Sequence, residues 1–372
     1  MKNLLYLIIV FLISGCIEEY NPKGIEEVSD LLVIEGTITD NESVFNIRTS
    51  VGLSEKLTDK ENVNGAIVYV EKENGERLPG TFSGDGTYKV ITGTLDAGMK
   101  YRLYLTIGNE EYRSEFLSPL FTPEIDSITY LKRGEGEPVN MCVHTHDPKD
   151  QSRYYMWSYK EIWEVKAELY ARLGYLGDVL QDFRLTTSEN TYYCWGRDYS
   201  KTMLIGATDK LSENIISQKK LLEMPCSSEK LSILYYIEVD QKQIRKEAYD
   251  YYSNIQKNVE QTGSIFAPIP SEMRGNIVCI TNPDLPVIGY IEVSTLTNKS
   301  LFVPESENLY ESSPEHCHDF VTDDPDFRYP VYGYFESMPP EPDKFAPHFC
   351  VDCRLKPNAS KDRPDFWPNN HF

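Results

Sequence analysis

The chain has 372 residues, 40% of them hydrophobic, and carries 58 Asp and Glu against 37 Lys and Arg for a net charge of −21. That balance repels nucleic-acid phosphates and anionic headgroups, so nucleic acid and a polybasic membrane contact are excluded as partners. The apolar fraction is that of a folded protein, and the length exceeds what one hydrophobic core usually organises, so two domains are expected.

Lys2 and the apolar run from Leu4 to Leu12 lead into Ile13-Ser14-Gly15-Cys16. The run is shorter than the roughly 20 apolar residues of a spanning helix, and residues 1–15 read as a bacterial lipoprotein signal that is removed. Ser14 and Gly15 are small enough to let a peptidase reach the bond before Cys16. The Cys16 thiol can then carry a diacylglyceryl group, which makes it the candidate lipidation site and the mature N terminus. Two or three acyl chains, palmitate among them, hold a protein on a bilayer durably at about 0.8 kcal/mol per buried CH₂. Residues 16–30, with Glu18, Glu19, Pro22 and Gly24, read as a tether.

From Leu31 to Leu117 the pattern is strand and turn. Apolar or alternating runs occur at Leu31 to Gly36, Val44 to Ile47, Ala66 to Val70 and Tyr101 to Leu105. Asn74-Gly75 and Asp85-Gly86 are hairpin signals between them. Six or seven short strands at this spacing predict an immunoglobulin-like β-sandwich over 31–120. Pro119 and Pro123 mark the boundary, and Ile125-Asp126-Ser127-Ile128 restarts the pattern as a strand.

The region 121–372 is predicted to be a larger β-rich domain with a helical insertion. Tyr155, Trp157, Tyr159, Glu161 and Trp163 share one face of a long strand, a stripe best explained by packing against a second sheet. Ile244, Ala248, Tyr251, Ile255 and Val259 recur at helical spacing, which predicts a helix over 241–262 with Gly263 as its C-cap. Asn276 to Ile280 and Val287 to Ile291 read as strands joined through Asn282-Pro283-Asp284, and the remainder as irregular chain held by cysteines.

Seven cysteines follow Cys16. In an exported protein they read as disulfides, with Cys194, Cys226, Cys279, Cys317, Cys350 and Cys353 as candidates and up to three bridges possible. Connectivity is not legible in the spacing. Cys350 and Cys353 lie in proline-rich chain and not at the start of a helix after a strand, so pairing to separate distant cysteines is expected over a redox motif. Cys142, His144 and His146 alternate and would project from one strand face, a donor set that suits Zn²⁺. His316-Cys317-His318-Asp319 and His348 add further potential ligands. An oxidising compartment and the lack of a second matching cysteine pair argue against zinc, and no cofactor is expected. No serine stands in a glycine-flanked elbow, none of the six histidines has a catalytic context, and Asp323-Asp324-Pro325-Asp326 lacks the glycine and glutamate of an EF-hand loop.

Taken in order, several segments resemble the Bacteroidota lipoprotein family known as domain of unknown function 4249. They are Val33-Ile34-Glu35-Gly36, Asn64-Gly65-Ala66, Gly86-Thr87-Tyr88, the Ile125 to Ile128 segment and the aromatic strand from Tyr155 to Glu164. Later come Gly263-Ser264-Ile265-Phe266, Gly275-Asn276-Ile277, Pro286 to Tyr290 and Cys350-Val351-Asp352-Cys353-Arg354. The family often has a glycine-rich stretch after the second cysteine where this chain has Leu355-Lys356-Pro357-Asn358, which leaves that loop's geometry open. The resemblance implies no established catalytic residue and a partner in an outer-membrane β-barrel, a TonB-dependent receptor. It also gives meaning to two short patterns. Glu18 and Glu19 resemble the signal that exports such lipoproteins to the cell surface, and Asp126-Ser127-Ile128 fits an O-glycosylation acceptor, with Ser127 as the candidate. The expected function is that of a surface-exposed, non-enzymatic accessory or ligand-binding subunit of a TonB-dependent transporter. A structural or assembly subunit of an outer-membrane complex is the alternative.

Overall fold

The computed structural model describes residues 31–49, 62–176, 179–182, 191–260, 275–311, 317, 331–334 and 344–368. The chain is mainly β. Seven strands come first: β1 (Leu32–Ile38), β2 (Asn41–Thr49), β3 (Ile67–Lys72), β4 (Arg77–Gly84), β5 (Thr87–Gly93), β6 (Tyr101–Ile107) and β7 (Glu110–Ser114). They hydrogen-bond in the order β1-β2-β5-β4 and β3-β6-β7, the two-sheet order of an immunoglobulin constant-type sandwich, with β3 and β4 also paired to each other. Alternation supplies the core, since Ile34, Phe45, Ile47, Val68, Val70, Val90, Leu103 and Leu105 all point inward. Aliphatic and aromatic packing occupies the place that an inter-sheet disulfide takes in antibody domains. Asp85 and Gly86 both take positive φ between β4 and β5, as a two-residue hairpin of the predicted kind requires. A side chain at Gly86 would also strike the Ile47 carbonyl. At the start of β6 the Tyr101 hydroxyl accepts from the Asp96 N–H at 2.9 Å, a tyrosine corner that ties the loop between β5 and β6 to the sheet.

Next come β8 (Ile125–Leu131), β9 (Val139–His146), β10 (Tyr154–Lys166), β11 (Ala171–Leu176), β12 (Val179–Asp182), β13 (Tyr193–Tyr199), β14 (Leu204–Ala207), β15 (Ile215–Met224), β16 (Leu234–Gln243) and helix α1 (Lys246–Glu260). Then follow β17 (Ile277–Cys279), β18 (Val287–Ile288), β19 (Glu292–Val293), β20 (Leu296–Pro304), β21 (Val331–Tyr334), β22 (Lys344–Pro347), a single turn α2 (His348–Val351) and β23 (Ala359–Ser360).

A central sheet runs β20-β16-β10-β13-β23, with β14 on the first half of β10, and a three-stranded sheet β15-β9-β8 shares a core with it. The aromatic stripe lies in that core: Tyr155, Trp157 and Trp163 are buried among Val139, Met141, Val143, Tyr235 and Ile237. The opposite face of the central sheet is covered in two places. α1 lays Ala248 and Tyr251 over Ile205, Ile244 and Tyr290, while Trp367 near the C terminus packs on Ile162, Trp195, Leu234 and Tyr236. A third sheet, β12-β11-β21-β22, lies beside a small cluster of Leu169, Cys317, Ala346, Cys350 and Val351.

Two sequence-based boundaries move. The helix expected over 241–262 starts at Lys246, because Gln241 to Gln243 continue β16, where Gln241 accepts from Trp157 Nε1 at 2.8 Å and donates to the Pro123 carbonyl. The proposed C-cap Gly263 lies outside the described residues. The division at residue 120 also fails for one segment, since β17, β18 and β19 return to the first sandwich. β17 extends the β7 edge antiparallel, and β18 and β19 run parallel to β1. Ile277, Cys279, Val287, Ile291 and Val293 join the first core. Both edges of the immunoglobulin-like sandwich are thereby covered by chain from beyond α1, which satisfies backbone groups that would otherwise template aggregation.

Candidate functional site

Cys16 lies outside the described residues, as do His316, His318, Asp319 and the acidic run from Asp323 to Asp326. Ser127 sits on β8 at a register irregularity, part-buried.

Cys142, His144 and His146 do share the outward face of β9, as their alternation predicts, but each is engaged elsewhere. His146 Nδ1 donates to Asp126 at 2.7 Å. His144 Nε2 meets Thr129 Oγ1 at 2.8 Å, while its Nδ1 accepts from the Gln218 N–H at 3.4 Å. Cys142 is buried beside Lys220, and burial pushes its thiol pKa up against the pull of that ammonium. Among the described residues no three His, Cys, Asp or Glu side chains are grouped to hold a metal ion.

Two disulfides form, Cys194–Cys353 and Cys317–Cys350, each with Cα atoms 5.6 Å apart. Cys350 and Cys353 thus go to separate distant partners. Cys226 and Cys279, both disulfide candidates from the sequence, are free thiols. The fold separates them: Cys279 is carried by β17 into the core of the first sandwich, with Sγ 3.3 Å from Glu110 Oε2, whereas Cys226 follows β15 and lies 3.5 Å from Glu311 Oε2.

A charged constellation around Glu161 was not marked as a site in the sequence. Glu161 belongs to the buried stripe of β10, only 3% exposed, and accepts from the Tyr235 hydroxyl at 2.7 Å and from Lys230 Nζ at 2.9 Å. The Lys230 ammonium rests 4.5 Å from the centre of the Trp163 ring, a cation–π contact, and stands 4.0 Å from Asp198. Burial pulls the Asp198 pKa up, but the Lys201 hydrogen bond, the Tyr199 N–H and both lysine charges outweigh it and hold it below the ordinary carboxylate value. Burial, with the Glu161 and Asp198 charges, pushes Tyr159 to about 12. A pocket of about 260 Å³ opens here, lined by Tyr159, Asp198, Tyr199, Lys201, Leu222 and Lys230. Its carboxylates are neutralised by lysines and Tyr159 keeps its proton, so the pocket offers hydrogen bonds and an apolar wall. An acid as the fourth member of an otherwise aromatic stripe was the only signal in the sequence.

A family model described as Domain of unknown function (DUF4249) matches residues 17–300. The chain belongs to this family. The DUF4249 match takes in the first sandwich with its returning strands, the central sheet up to the middle of β20 and the whole Glu161 constellation. The disulfide partners Cys317, Cys350 and Cys353 lie past its end, as does the Cys350 to Arg354 segment. No curated protein matches the chain.

Proposed function

We propose that the protein is a surface-exposed, lipid-anchored subunit of the outer membrane that serves a TonB-dependent receptor as a non-enzymatic accessory or ligand-binding partner. The observation that carries this reading is the position of Cys16. It closes an apolar leader, and the part held in common with the DUF4249 family begins at residue 17. Acyl chains on Cys16 are then joined to β1 only by residues 16–30, which reach at most about 50 Å when extended. That length lets the folded body rest over a neighbouring barrel while the lipid stays in the outer leaflet. The acidic surface suits solubility at the cell exterior, and the Glu161 pocket offers a polar recess to a ligand.

Three measurements test the reading. Radioactive palmitate should label the wild-type chain and not Cys16→Ala. Protease added to whole cells should degrade the protein, and native purification from membranes should bring down a plugged receptor barrel. A bare N-terminal residue by mass spectrometry overturns the anchor, and recovery with assembly machinery in place of a receptor overturns the transport role.

A further inference from the structure

A cleft of about 290 Å³ lies between the first sandwich and the outer face of the central sheet. Thr37, Thr39 and Val44 of the β1–β2 hairpin form one wall; Met156, Asp240, Lys242 and Leu296 form the other. Asp240 and Lys242 stand two residues apart on β16, so they share one face with Cα atoms about 6.8 Å apart.

Three polar groups in this cleft are under-used. The Asp240 carboxylate is part-buried, yet among the described residues it accepts no hydrogen bond and joins no ion pair, and burial together with the Glu238 charge raises its pKa against the pull of the Lys160 ammonium. Lys242 Nζ has one close partner, Thr37 Oγ1 at 2.5 Å, and an ammonium has three donors. Thr39 is 6% exposed and its Oγ1 has no hydrogen-bond partner. Buried polar atoms are nearly always paired, so the unpartnered Thr39 Oγ1, beside the spare bonding capacity of part-exposed Asp240 and Lys242, marks a place where something else completes the set. Beside them Val44 and Leu296 hold apolar surface open to solvent.

We infer that the cleft binds a small zwitterion of the α-amino-acid class with an apolar side chain. The ligand's ammonium donates to Asp240, its carboxylate accepts from Lys242, and its side chain lies against Val44, Met156 and Leu296. A simple anion is opposed by Asp240, since Glu42, which also lines the cleft, is paired with Lys89 at 2.9 Å, whereas a simple cation is opposed by Lys242. The volume admits a single small molecule, and a junction between two modules is where such sites commonly form. The inference does not depend on the anchor or on the receptor.

Calorimetry on the full mature chain tests it with L-leucine, L-leucinamide and 4-methylpentanoate. L-Leucine should bind, and each analogue, having lost one charge, should bind at least about tenfold more weakly. Asp240→Asn should weaken L-leucine by a similar factor. No binding of L-leucine at millimolar concentration overturns the inference, and so does equal binding of the three compounds, which would mean apolar adsorption alone. The comparison among ligands uses the unaltered protein, so a poorly folding variant cannot decide it.

Discussion

Cys194 and Cys353 show how much a single residue's meaning depends on its distant partner. Both are completely buried in the core between the central and three-stranded sheets, and their bridge closes a sequence separation of 159 residues. Closing so long a loop removes much entropy from the unfolded chain, and Cys194→Ser should cost about 3–5 kcal/mol. Cys226→Ser, at a free and part-buried thiol, should change stability by no more than about 0.5 kcal/mol. Chemical denaturation of the two variants checks both, and equal losses would contradict the bridge assignment. The sequence marked six of these cysteines alike as candidates, because composition reports the redox compartment and nothing about proximity. Glu161 is the converse case: an acid within an aromatic stripe read as part of a core face, and it became a site only when Lys230 and Tyr235 came to it from 69 and 74 residues away.

Strands and turns were more legible than single sites. Asp85-Gly86 predicted a hairpin because only residues tolerant of positive φ fit that turn, and the alternating runs located most of the first seven strands. β17 and β18 were recognisable as extended chain, but not as part of the first sandwich, since periodicity does not name the neighbouring strand, and β19 lies just past the end of the predicted strand Val287 to Ile291. Their burial leads to a prediction at this scale. A fragment of residues 31–120 would lack Ile277, Cys279, Val287, Ile291 and Val293 and would bare the outer edges of β1 and β7. It should aggregate in size-exclusion chromatography while a chain of residues 17–372 stays monodisperse; a stable, monomeric fragment would show that the returning strands are dispensable.

Across the whole molecule the two sandwiches meet at a junction of buried charge. Glu292, 1% exposed, accepts from the Arg245 backbone N–H at 2.9 Å and pairs with its guanidinium, and Arg245 also reaches the Ser118 carbonyl. Burial pushes Lys242 down from 10.5 to about 8, although the nearby Glu292 charge works in the opposite direction. The unfolded chain therefore binds more protons at this lysine than the folded one between about pH 8 and 10.5, so its contribution to stability rises with pH across that window. Lys242→Met should remove about 1–2 kcal/mol of that rise, a value reduced for the partial exposure of the side chain. Denaturation midpoints at several alkaline pH values measure it, and parallel profiles for wild type and variant would contradict the assignment. Glu71 bends the acid side in the opposite sense. Burial raises its pKa, yet hydrogen bonds from Arg102 and Arg77 hold it below the ordinary carboxylate value, so its contribution is present above that value and fades as pH falls.

What the sequence by itself determined is whatever depends on neighbours a few residues apart: the β class, the hairpin turns, the body of α1, and the shared outward face of Cys142, His144 and His146. What only the tertiary structure decided is which cysteines pair, which strands close the edges of the first sandwich, and which polar groups are brought together around Glu161 and in the cleft by Lys242. The physical reason is range. Turn geometry and side-chain alternation follow from local sterics, whereas pairing across more than a hundred residues is set by burial and loop closure over the whole fold, which no short pattern records.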